Sequence, residues 1–94
     1  MPVYRVIVEG RGCLINLSGV AEKVGFFATR FQEGLDASEA SAHAIDSVRA
    51  ELHGRLLNGS DDPPVFTIDT LVEVDQVGEP NRGFVFFREN EREG

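Results

Sequence analysis

One segment of this chain reads as helix and nearly everything around it reads as strand, which limits the folds open to it. Asp36-Ala37-Ser38-Glu39 has the form of a capping box, with Asp as the cap and Glu three residues on. At about 100° per residue, Ala37, Ser41, Ala44, Ile45, Val48, Leu52 and Leu56 fall on one stripe. Glu39, His43, Asp46, Arg49 and His53 fall off it, and Gly54 ends the helix or tightens its last turn.

The flanking segments alternate with the period of two that strands require. In residues 3–9, Tyr4, Val6 and Val8 alternate with Arg5 and Glu9. Gly10 and Gly12 predict a bulge or bend, after which Cys13-Leu14-Ile15-Asn16-Leu17 continues the strand. Ser18 to Lys23 reads as a connecting loop, and residues 25–33 as a second strand. Asn58 to Pro64 is a turn-forming linker. A third strand is expected from Val65 to about Val77, a turn over 78–81, and a fourth strand over Phe84-Val85-Phe86-Phe87. Residues 88–94 form a charged tail expected to fray. The fold expected is α+β, a two-layer sandwich in the order β-β-α-β-β. A four-stranded antiparallel sheet would carry one long helix on one face.

With 94 residues the chain is sized for one domain spanning 1–94. Charged residues at 27% and apolar ones at 41% place it among globular rather than disordered sequences. Its net charge of −7 disfavours nucleic acid and anionic membrane as partners, because phosphate is bound by Lys and Arg. The one cysteine rules out an intrachain disulfide. No signal peptide opens the chain and no apolar run reaches the ~18 residues of a membrane span, so a cytoplasmic location is expected.

A single helix hides one sheet face, yet the strands carry apolar groups for both. Whichever of Phe26 and Phe27 points inward, the other points out, and Phe86 and Phe87 pose the same choice. Ile7 and Leu71 are out of phase with the core positions of their strands. We assign Ile7, Phe26, Leu71 and Phe87 to an apolar second face of the kind that marks an interface.

Other motifs have ordinary explanations. Arg82-Gly83-Phe84-Val85-Phe86-Phe87 is similar to the aromatic strand of RNA recognition motifs, but the acidic charge opposes RNA. Gly10, Gly12 and Gly19 lack the ending of a phosphate-cradling loop. His43 and His53 are ten residues apart, about 15 Å along a helix, so they cannot share a metal within one chain. Asp69, Glu73 and Asp75 read as members of cross-strand ion pairs with Arg5, Arg30 and Arg88. Cys13 stands beside Arg11, whose charge could activate a thiol, though a buried inert cysteine is the commoner case.

The chain as a whole resembles a family of small bacterial proteins of unknown function. The likeness rests on Gly10-Arg11-Gly12-Cys13-Leu14-Ile15, then Gly25-Phe26-Phe27-Ala28-Thr29-Arg30-Phe31-x-Glu33, Leu57-Asn58, Asp62-Pro63-Pro64 and Gly83-Phe84-x-Phe86. Family members carry a G-R-N-F-L-L-like segment and G-F-[FY]-x-T-R-F-x-E; this chain departs at Gly12-Cys13, where they have Asn and Phe. The resemblance implies no assigned activity and no catalytic residues. The strand, strand, Ala-rich helix order is also similar to HicB-type antitoxins, which cover a small ribonuclease and usually add a DNA-binding segment that this chain lacks after Phe87.

These observations favour a non-catalytic interaction or regulatory module acting as a homo-oligomer, with a protein partner as a further option and no cofactor or metal. The alternative is a small-ligand or enzyme site near the 10–24 loop, built from Arg11, Arg30 and Cys13. RNA binding comes third.

Overall fold

The computed structural model describes residues 2–17, 19–75 and 84–88. Its elements are β1 (Val3–Leu17), β2 (Val20–Glu33), α1 (Ala37–Leu52), β3 (Val65–Val74) and β4 (Phe84–Arg88). The class is α+β. The four strands form one antiparallel sheet in the order β3-β1-β2-β4, so β3 and β4, consecutive in sequence, occupy opposite edges.

β1 and β2 make one long hairpin. From Val20 on, the expected loop is replaced by strand: Leu17 pairs with Val20, and Gly19, at φ 89, turns the chain directly. Positive φ is nearly free for glycine, so no longer connection is needed. The disturbance expected at Gly10 and Gly12 is a bulge. Gly10 pairs with Phe26 and Cys13 with Val24, so Arg11 and Gly12 together face Gly25, with Gly12 at φ 66.

The helix begins as its capping box requires. Asp36 Oδ1 accepts from Glu39 N at 2.8 Å, and Glu39 Oε1 accepts from Leu35 N at 3.1 Å. Ala40, Ala44, Val48 and Leu52 form its buried stripe at a spacing of four. The helix stops at Leu52 and not at Leu56, because the next residues are needed elsewhere. Leu56 bridges to Ile15, and Leu57 N donates to Leu14 O at 2.8 Å. This short segment pairs with β1 where β3 has not yet begun.

Tyr4, Val6, Val8, Cys13, Ile15, Val24, Phe26 and Ala28 join the helix stripe in the core. One cross-strand row runs Phe66, Gly10, Phe26, Phe86. Phe26 is fully buried and lies over Gly10, where an added Cβ would sit 2.0 Å from its ring. The same ring meets Phe66 at 5.8 Å and Phe84 at 5.1 Å, tying both edge strands to the centre.

A helix is about 10 Å across, whereas four strands spaced about 4.8 Å apart present roughly 19 Å. The excess width is roofed by arginines. Arg49 lies 5.1 Å from the Phe66 ring centre, Arg55 5.2 Å from Phe86 and Arg30 5.4 Å from Phe84.

Three expectations need correction. Phe26 faces the helix, so Phe27 takes the outward position assigned to it. Leu71 packs against the core opposite Val6, because β3 bulges at Asp69 and reverses its phase from there on. Val72, which strict alternation from Phe66 and Ile68 would place on the helix side, is consequently 44% exposed. The turn over 78–81 and the tail beyond Arg88 lie outside the described residues; Arg88 itself belongs to β4.

Candidate interaction surface

The sheet face turned away from α1 is built by alternation. β1 places Val3, Arg5, Ile7 and Glu9 there; β2 places Phe27, Thr29 and Phe31. β3 adds Thr67, Thr70, Val72 and Val74, and β4 adds Val85 and Phe87. Phe27 and Phe87 pack with ring centres 5.4 Å apart. Phe87 also lies over Gly25, where an added Cβ would come within 2.3 Å of its ring. The Gly10–Phe26 arrangement is thus repeated on the other side of the sheet. Val85 remains 67% exposed.

The charges on this face nearly cancel. Arg5, Arg11 and Lys23 stand against Glu9 and Glu33, Lys23 is ion-paired with Asp62, and Arg11 Nε bonds Glu9 Oε2 at 2.9 Å. The chain as a whole carries −7, so its acidic excess lies elsewhere.

Arg11, Arg30 and Cys13 are not brought together. Arg11 is exposed beside Glu9 on the open side. Arg30, 1% exposed, points the opposite way into the helix layer. It donates to Glu51 Oε2 at 2.8 Å and to Thr29 O at 2.9 Å. Cys13 is buried in the core. Arg30 pairs with Val6, so along β1 it is separated from Cys13 by roughly 20 Å of strand. Phe84 and Phe86, the aromatic pair that suggested RNA stacking, pack against the core under Arg30 and Arg55.

Among the described residues no three His, Cys, Asp or Glu side chains gather as a metal would need. A shallow depression of about 510 Å³ lies against Asp46, Arg49, Ala50 and His53. All four come from α1 and the turn after it, so among the described residues no second element contributes a converging group. No described helix is long and apolar enough to cross a membrane.

One titratable group is notable for its setting. Burial first, then the nearby carboxylates of Glu73 and Asp36, push the Tyr4 phenol above its ordinary value of 10.0. Tyr4 is the chain's one tyrosine and there is no Trp, so the phenolate absorbance band reports it alone. Its titration midpoint in the folded protein is expected above that of the unfolded chain. The sign follows: stability from the neutral phenol is complete below the unfolded value and is lost as pH rises through the folded one. A folded midpoint equal to the unfolded one would refute the burial of Tyr4.

Sequence reasoning places Ile7 and Phe87 on the open face but misses Phe31, Val72 and Val85. The available signal is glycine: a strand Gly opposite Phe, as in Gly10–Phe26 and Gly25–Phe87, shows which way each ring turns. Comparison with protein families, with characterised proteins and with solved structures finds no match to the chain.

Proposed function

We propose that this protein is a non-catalytic interaction module that associates with a second copy of itself through the open face of its sheet. The observation that supports this is the apolar surface formed by Ile7, Phe27, Phe31, Val72, Val85 and Phe87. Singly exposed apolar residues are common, whereas a contiguous set across four strands is not. Near-balanced charge adds to the case, since two acidic chains can meet there with least repulsion. Catalysis is the weaker reading because Arg11, Arg30 and Cys13 point to separate places.

Light scattering on the full chain tests this. Wild type is expected to assemble, and Phe27→Asp to weaken assembly at least tenfold, equivalent to about 1.4 kcal/mol. Phe27 is only half-buried, so the variant should remain folded by circular dichroism. A wild-type protein that stays monomeric at high concentration would sink the reading.

A further inference from the structure

The two edges of the sheet are built differently, and we infer that β4 is a pairing edge through which two open faces fuse into one. The inference rests on the open-face reading and extends it to a second contact between copies.

β3 is defended against edge pairing. It is interrupted by the bulge at Asp69 and carries a second acid at Glu73. Bulges and charges on an edge strand are the usual means of preventing pairing with another chain. β4 has neither. Phe84-Val85-Phe86-Phe87 runs in unbroken register against β2, with no charge, proline or glycine before Arg88. Such a stretch has high β-propensity on both sides of the strand. It stands last in the sheet order, beside β2.

The occupant that fits is the β4 of a second copy. A two-fold axis normal to the sheet sets identical strands antiparallel and keeps both helices on one side. Phe84 and Phe86 then continue the helix-side layer, while Val85 and Phe87 continue the open face. Five residues pair weakly alone, but the area argument favours the combination. Strands that average about eleven residues, spaced about 4.8 Å apart, give each open face roughly 700 Å², so one face-to-face pair buries roughly 1,400 Å², below the roughly 1,600 Å² of a standard interface. Joining two sheets through β4 doubles the surface that a second such pair can cover. Perpendicular edge and face axes close as a tetramer with three two-folds and leave no β4 edge open to further copies.

Native mass spectrometry of the full chain tests this beside Val85→Lys, which places the commonest edge-blocking residue on an exposed position. The expected result is a wild-type tetramer; Val72→Lys, on the open face at the far edge of the sheet, leaves a dimer with residues 84–88 still protected, whereas Val85→Lys, on both the edge and the face, loses that protection. Backbone amides of residues 84–88 should also exchange at least about tenfold more slowly in the wild-type assembly than in Val85→Lys. A wild-type dimer whose 84–88 amides exchange at the Val85→Lys rate overturns the edge contact and leaves the face reading standing. A tetramer indifferent to Val85→Lys also overturns it, as does a Val72→Lys dimer whose 84–88 amides exchange as fast as those of Val85→Lys. A wild-type monomer overturns both.

Discussion

Phe26→Ala is expected to cost about 4 kcal/mol of folding stability, the range for truncating a buried phenylalanine. A chain of this length has roughly 5–14 kcal/mol in total, so the variant should sit near its unfolding midpoint in mild denaturant. The cost is large because the ring serves three strands at once. It fills the space that Gly10 leaves on β1, and it meets Phe66 on β3 and Phe84 and Phe86 on β4. Without it, both edge strands lose their aromatic link to the centre. The converse change makes the same point by crowding. Gly10→Ala would set a methyl 2.0 Å from the Phe26 ring, and overpacking of this kind costs about 2–3 kcal/mol. Combining Gly10→Ala with Phe26→Leu should cost less than the two single changes summed, because trimming the ring frees the space. Urea midpoints of the four proteins measure the cycle; strict additivity would show that the ring does not lean on Gly10.

Asn58→Ala is expected to cost about 3 kcal/mol, since part-buried backbone groups that lose their partners are penalised at about 1–3 kcal/mol each. The Asn58 side chain holds the segment after the helix against the bulged end of β1. Its Oδ1 accepts from Leu14 N at 2.8 Å, and its Nδ2 donates to Gly12 O at 2.8 Å and to Asp62 O at 2.9 Å. The other side-chain tie to this segment, Lys23 to Asp62, is between exposed groups and contributes little. Asn58→Asp should be no milder than the alanine variant. It keeps the acceptor for Leu14 N but sets a carboxylate oxygen against two carbonyls. Denaturation midpoints and hydrogen exchange at Leu14 measure both; an Asn58→Asp variant as stable as wild type would contradict the assigned amide orientation.

The element order and the helix start are legible in the sequence because local chemistry fixes them. Asp36 and Glu39 can satisfy backbone donors at one end of a helix whatever the rest of the chain does. Alternation also fixes the phase of residues 3–9, where Arg5 and Glu9 mark the wet side. Phase becomes illegible where both sides of a strand are greasy. Nothing local separates Phe26 from Phe27; the choice is made on neighbouring strands, by Gly10 and Gly25. Leu71 defeats the pattern for a related reason. A bulge without glycine, at Asp69, leaves no mark on the residues before it yet reverses every residue after it. Gly54 marks the end of the helix to within two residues, but the apolar stripe runs on to Leu56, and only long-range pairing with Ile15 claims that residue for the sheet. Arg30 looks like a ligand group because an arginine in a strand is ordinarily wet, and here the helix buries it against Glu51.

The arginine roof makes one substitution type deceptive. The chain uses eight arginines and one lysine, and three of those arginines shield phenylalanine rings that the lone helix is too narrow to reach. A guanidinium is flat and weakly hydrated, so it can lie along a ring while its edge stays wet; an ammonium is compact and holds its water. Exchanging Arg49 or Arg55 for lysine would therefore preserve the ledger of charges while stripping a shingle from the eaves of the core.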